Sequence, residues 1–441
     1  MTERIIQFGG GGFLRSFADV FVHKMNEQGL FDGKVVVVQP IPTGLVPVFN
    51  EQKGVFHQFL RGIDNGEVKA ECIKVESISR GVDPHVDYES YLSLARQPEM
   101  RFIISNTTEA GIEYIGTESI TDAPPKSFPA KLTALLYERF KAGLGGFVIF
   151  SCELIDNNGK KLLECVLKYA RLWNLGDDFI AWLENENHFL STLVDRICTG
   201  YPKDEAEALC AQIGVNDKLL NTAELFHLWV IEGDFEDEFP LKKAGVNVIW
   251  TSDVTPYKKM KVRILNGAHT SLVFPSLLCG IETVGESLND AHTKKFLDIC
   301  LNKYIMPTLG ETDEHKAFAG AVLERFANPY IKHLWKSISL NSVSKYTARV
   351  LPTVLDYIKN ENALPKPLVF SLACLIEYYR NGEPTDSEDA VAAIRNNDVY
   401  AILSNKALWG EDLSMMTELV CECLDKIHTD GIREALKWAT C

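Results

Sequence analysis

In the first 250 residues the apolar positions fall in short unbroken runs. RIIQFG (4–9), KVVVVQP (34–40), RFIISN (101–106), GGFVIFS (145–151) and VNVIWTS (246–252) are the clearest. Runs with so little alternation predict strands covered by helices on both faces. Between them, 13–29, 129–142 and 158–173 carry apolar residues at helical spacing. Strand, glycine turn, helix and second strand follow one another within the first 40 residues, the opening of a parallel α/β unit. After residue 252 the strand signals stop and helical patterns take over. PLVFSLACLIEYYR (367–380) has an apolar face of period 3.6, and Thr385 to Glu388 has capping-box spacing ahead of an apolar run. The expected fold class is therefore α/β: a Rossmann-type N-terminal domain over 1–252 and a mainly α-helical C-terminal domain over 253–441.

Composition narrows the functions. At 46% hydrophobic and 24% charged the chain can bury a full core. A net charge of −15 argues against nucleic acid or an anionic membrane as partner, and an anionic ligand would need a local cluster of cations. The opening MTERIIQFGG is charged where a secretion signal is apolar, and no long uncharged apolar stretch follows, so a cytoplasmic protein without a membrane span is expected. The eleven cysteines include no CxxC pair and read as reduced thiols, Cys421 and Cys423 among them. The acidic stretch 232–240 reads as a solvated turn.

FGGGGFLRSF places Gly9, Gly10, Gly11 and Gly12 between strand and helix. Glycine there lets backbone N–H groups approach a diphosphate, and the helix N-terminus adds partial positive charge. Gly9 and Gly11 fit the first two positions of GxGxxG; Leu14 stands at the third. A tight turn without a ligand would share this pattern. At the end of the second strand, where an acidic residue usually holds the adenosine ribose, the chain has Gln39. No Arg or Lys lies in QPIPTG to attract a 2′-phosphate, so NAD is expected over NADP.

KVRILNGAHT (261–270) carries the candidate chemistry. On a regular helix, at about 100° per residue, Lys261, Asn266 and His269 share one arc. A lysine among Val262, Ile264 and Leu265 loses solvation, which suits proton transfer. Asn266 and His269 could donate to an alkoxide. A surface lysine beside a satisfied core histidine is the competing reading.

These residues carry a resemblance. KVRILNGAHT matches the K-x4-N-x2-H signature of the polyol-specific long-chain dehydrogenases, the mannitol dehydrogenase family. GGGGFLR is similar to that family's GxGxFxR loop, with Gly9, Gly11, Phe13 and Arg15 in place. SNTTEAGI, CELIDNNG, LFHLWVIEG and VRILNGAHTSLV resemble its hexuronate-reducing branch, and the likeness spans roughly 4–352. The resemblance implies metal-independent hydride transfer with NAD, Lys261 as general acid/base, and Asn266 and His269 holding the substrate oxygen. It implies cofactor contacts at Gly9, Gly11, Gly12, Phe13, Arg15, Gln39, Asn106 and Thr107. Two positions depart from the mannitol pattern: Leu154 replaces an asparagine and Ser337 an arginine. Both point away from mannitol and toward another sugar, such as a hexuronate, with fructuronate-type or polyol substrates as alternatives. A hexuronate carboxylate needs a further cation; Lys345, whose equivalent the resemblance places in the substrate pocket, is the first candidate and Arg349 the next. A non-catalytic nucleotide-binding regulator would keep the glycine turn but would not need Lys261, Asn266 and His269.

Overall fold

The structure, a computed structural model, describes residues 1–441 except the side chain of residue 109. Two compact units are present: Met1–Gly62 with Val68–Thr255, and Ile63–Glu67 with Pro256–Cys441.

The first unit is built on twelve strands: β1 (Thr2–Phe8), β2 (Gly33–Val38), β3 (Phe56–Asp64), β4 (Glu67–Val75), β5 (Ile78–Val82), β6 (Phe102–Ser105), β7 (Val148–Ser151), β8 (His188–Asp195), β9 (Cys198–Gly200), β10 (Asn221–Ala223), β11 (Leu228–Glu232) and β12 (Val248–Thr251). The tip of the β3–β4 hairpin belongs to the second unit. Eight strands form one sheet in the order β12-β11-β8-β7-β6-β1-β2-β5. From β5 to β8 all neighbours are parallel, and their order is the 3-2-1-4-5-6 of a doubly wound nucleotide-binding sheet. Only β11 runs antiparallel to its neighbour β8.

The unbroken apolar runs are explained by the two cores. Ile5, Val35, Val37, Phe102, Ile104 and Phe150 pack on one face of the sheet, with helix Ala18–Glu27. Ile6, Val36, Val38, Ile103 and Ile149 pack on the other, with helices Phe128–Lys141 and Asn158–Leu172. Neighbouring residues of one strand thus serve opposite cores, and neither face can be polar.

A second sheet, β4-β3-β10-β9, was not legible in the sequence. Its β4 is mostly exposed and its β9 and β10 are only three residues each, so neither carries a long apolar run. The helix expected over 13–29 is broken in two, Gly12–Ser16 and Ala18–Glu27, by Phe17 at φ −121°, ψ −93°.

Among the described residues no strand lies beyond Thr251, and the second unit is mainly helical. Its central helix, Lys366–Asn381, buries most of its length. The capping box expected at Thr385–Glu388 is replaced by a nearer cap. The Ser387 side chain accepts from Ala390 N, and the helix starts at Glu388. No helix is long and apolar enough to cross a membrane. The acidic stretch 232–240 is held as a turn by Glu236, which accepts from Lys242 N, Lys243 N and Trp250 Nε1.

Candidate active site

In the first unit a cavity of about 440 Å³ opens at the carboxyl ends of β1, β2 and β6. Gly9, Gly10 and Gly11 form one wall, Gln39 to Val46 and Phe49 another, and Asn106 to Thr108 a third. This is where ligands of doubly wound sheets bind. The four glycines have different reasons to be glycine. Gly9 has φ +113°, and a Cβ there would lie 2.9 Å from Asn106 O. A Cβ on Gly10 would meet the Phe49 ring at 2.6 Å, and one on Gly12 would meet Asn221 Oδ1 at 2.9 Å. Gly11 alone faces open space, with nothing within 4 Å of a Cβ. It is also the N-cap of Gly12–Ser16 and makes no side-chain cap hydrogen bond.

The other cofactor candidates fall into two groups. Gln39, Asn106 and Thr107 line the cavity with Gly9 and Gly11; Gly12, Phe13 and Arg15 lie outside its lining. Phe13 stacks on Phe17. Arg15 is only 4% exposed and turns inward, its guanidinium donating to Leu219 O and Gly10 O. It braces the glycine turn from behind. Asn106 and Thr107 are already engaged through their side chains. Asn106 Nδ2 donates to Cys152 O at 2.6 Å, and Thr107 donates from both N and Oγ1 to Glu153 Oε1. Glu153 was not singled out in the sequence. It is buried, burial raises its pKa against the pull of these hydrogen bonds, and it fixes the β6 end of the cavity.

In the second unit, 255–278 is not one regular helix. α-helix Thr255–Lys261 passes into a π-helical stretch, Val262–Asn266, and then into α-helix Gly267–Leu278. The regular helix expected over 261–270 is thereby corrected. π-Turns shift the register of everything that follows and occur frequently at functional sites. Lys261 sits at the entry to the π-turn, Asn266 at its exit and His269 one turn later. Lys261 is half-buried. Asn266 Oδ1, His269 Nε2 and Thr270 Oγ1 are buried with no hydrogen-bond partner among the described residues. Each such atom costs about 1–3 kcal/mol unless something hydrogen-bonds it. Three along one stretch indicate a place for a polar ligand.

His269 is 9% exposed. Its ring stacks on Phe326 at 4.0 Å and meets the edges of His333 and Trp335. Burial, then the positive fields of His333, Arg325 and Arg349, hold its pKa well below the ordinary value. The imidazole is therefore neutral at physiological pH and offers one N–H. Arg349 is half-buried and pushed down by burial, and no hydrogen bond or ion pair engages its guanidinium among the described residues. Lys345 is half-buried and spends one donor on Ile338 O at 2.8 Å. Burial, then Arg349, lowers its pKa. Leu154 and Ser337, the two departures from the mannitol pattern, are both exposed.

The buried histidines lower stability as pH falls. In the first unit His227 is pushed down to about 3 by burial and by Arg196, and its Nε2 accepts from Asn247 N. His227 and His269 take up protons below about pH 6.5 only when the chain unfolds. There the unfolded state binds more protons, so stability falls as pH falls, by at most about 1.4 kcal/mol per pH unit for each group. Asp19, pushed up to about 7 by burial, and Glu153, also raised by burial, titrate in the opposite sense, so the test is a difference: from pH 6.5 to 5 the urea midpoint of His227→Gln should fall less, or rise more, than that of the native protein. The same pH dependence in both proteins would contradict neutral burial of His227.

Comparison with known proteins agrees with this architecture. Residues 3–243 match the Mannitol dehydrogenase Rossmann domain and residues 253–429 the Mannitol dehydrogenase C-terminal domain. The chain is 45% identical to altronate oxidoreductase of Klebsiella pneumoniae subsp. pneumoniae, across 99% of this chain and 96% of that protein. It is 43% identical to altronate oxidoreductase of Escherichia coli O7:K1, with the same coverage. Two solved structures share the fold. D-sorbitol dehydrogenase in substrate-free form superposes with a TM-score of 0.87 at 24% identity, over 99% of this chain and 95% of that one. Pseudomonas fluorescens mannitol 2-dehydrogenase, a ternary complex with NAD and D-mannitol, superposes with a TM-score of 0.74 at 21% identity, over 99% and 94%. Both domain matches and both relatives agree: the chain belongs to the mannitol dehydrogenase family and is an oxidoreductase.

Proposed function

We propose that the chain is an NAD-dependent altronate oxidoreductase of the cytoplasm, interconverting D-altronate and D-tagaturonate. Identity of 45% across 99% of the chain to a protein of that name carries the reading. The open cradle at Gly11 and the unpartnered polar atoms of 266–270 support it. NAD, when bound, supplies or accepts the hydride. The residues of the chain do the rest. Gly10 to Phe13 would receive the diphosphate on backbone N–H groups, with Gly9, whose N–H donates to Val38 O, shaping the turn. Lys261, protonated, gives its proton to the keto oxygen in reduction and takes it back in oxidation. Asn266 and the neutral His269 hold that oxygen, so negative charge developing on it meets fixed donors. NADH consumption with a panel of ketouronates and neutral ketoses tests the reading; activity on neutral ketoses alone would overturn it.

The carboxylate of a hexuronate needs a cation, and the structure favours Arg349 over Lys345, the first candidate from the sequence. Its field reaches His269 and no hydrogen bond or ion pair among the described residues competes for it, whereas Lys345 is partly spent on Ile338 O. Arg349→Leu should raise KM for ketouronates more than for matching neutral ketoses. A charge-assisted hydrogen bond is worth about 1.5–3 kcal/mol, so the extra loss should be on the order of tenfold to a hundredfold. Lys345→Ala should act in the same direction with a smaller effect. Equal loss on acidic and neutral substrates would show that neither cation reads the carboxylate.

A further inference from the structure

Gln39 lines the cavity, and outside that lining its amide meets the carboxylate of Asp83. Strands β2 and β5 pair Val38 with Val82. The residues that follow, Gln39 and Asp83, therefore leave the sheet side by side at its carboxyl edge. Gln39 N donates to Val82 O at 3.0 Å, and Gln39 Nε2 donates to Asp83 Oδ2 at 2.9 Å. The other carboxylate oxygen, Asp83 Oδ1, accepts from His85 N at 2.9 Å and lies 2.9 Å from His85 Nδ1. Both oxygens of Asp83 are thus held, and the carboxylate cannot turn away. Gln39 Oε1, on the loop side, accepts from Val46 N at 3.4 Å, and a Cβ on Gly44 would stand only 2.4 Å from it. The loop residue is glycine because the amide fills its side-chain space.

Resting on the reading of this cavity as the NAD site, we propose that Asp83 is the positioning residue that sets cofactor choice, by fixing which way round the Gln39 amide lies. A glutamine alone is indifferent: it can present N–H donors or a carbonyl acceptor. Asp83, an acceptor only when ionised, draws the NH2 end to itself and leaves the carbonyl oxygen on the other side. A ribose hydroxyl can donate to that oxygen. A 2′-phosphate brings acceptor oxygens and negative charge, and meets an acceptor backed by a carboxylate. The acidic character usual at the end of the second strand is thus supplied from the end of β5, through one hydrogen bond.

The test is direct binding of NADH and NADPH, followed by nicotinamide fluorescence without any sugar. The native protein should bind NADH at least tenfold more tightly than NADPH. Asp83→Asn keeps size and hydrogen bonding but lets the Gln39 amide turn over, and the ratio should fall by tenfold or more through gained NADPH affinity. Asp83→Ser should lower the ratio likewise and serves if Asp83→Asn does not fold. Gln39→Glu placed on Asp83→Asn returns a carboxylate to the pocket and should restore selectivity. A merely structural role would weaken both cofactors by the same factor, and an unchanged ratio would overturn the proposal. Failure of the native protein to bind either nucleotide would instead overturn the NAD reading itself, and this inference with it.

Discussion

Lys261→Met should lower turnover by roughly 10²–10⁴-fold, the usual scale for a positioned acid or base, while leaving NADH affinity unchanged. Methionine keeps most of the length of the side chain and removes only the charge and the proton. The residue stands where helix Thr255–Lys261 gives way to the π-turn. No other group along this stretch can replace it. Asn266 carries no titratable proton, and burial holds His269 neutral well below its ordinary pKa. His269 can donate a hydrogen bond to the oxygen but is not a ready acid. Removing it, as His269→Phe, removes one fixed donor and should cost about 10²–10³-fold in turnover. Single-turnover rates with ketouronate, beside an NADH titration, separate these effects. A Lys261→Met protein with near-native turnover would end the assignment, and loss of NADH binding in that variant would mean that the lysine serves the cofactor instead.

What the sequence carried and what it concealed divide along physical lines. Buried parallel strands must be apolar throughout, so β1, β2, β6 and β7 could be read from runs such as KVVVV, while β12, half-buried at the edge of the sheet, showed its own apolar run. The glycine turn was legible because few sequences put four glycines between strand and helix. The small sheet was not, since β4 exposes most of its side chains and β9 and β10 are too short to show a pattern. The spacing of Lys261, Asn266 and His269 marked the stretch, but not its backbone. A π-turn depends on which carbonyl each N–H finds, and residue spacing does not report that. Arg15 looked like a ligand group by its place in the loop, yet its guanidinium is committed to Leu219 O and Gly10 O. Asp83 was missed for the opposite reason. It lies 44 residues from Gln39 and meets it only because β2 and β5 are neighbours in the sheet.

Gly11→Val should weaken NADH binding at least about a hundredfold without lowering the melting temperature, and its neighbours should behave in the opposite way. The contrast follows from what each added side chain would meet. Gly9 has positive φ and stands against Asn106 O, Gly10 is closed in by Phe49, and Gly12 lies against Asn221 Oδ1. Alanine at any of the three forces packed atoms apart, which typically costs 1–3 kcal/mol or more, so thermal stability should fall first. Gly11 has φ −67°, ψ 168°, an extended conformation open to any residue, and nothing stands within 4 Å of its Cβ. The Cβ of a valine there meets no protein atom within 4 Å, and the change should shift stability by no more than about 0.5 kcal/mol. Its methyl groups would project from the wall of the cavity, where a diphosphate must approach the backbone N–H groups closely. Each charge-assisted hydrogen bond lost is worth about 1.5–3 kcal/mol, so losing two already exceeds a hundredfold. Melting curves and NADH titrations of Gly9→Ala, Gly11→Val and Gly12→Ala would display the contrast. A folded Gly11→Val protein that binds NADH as tightly as the native one would mean that the cofactor does not use this cradle.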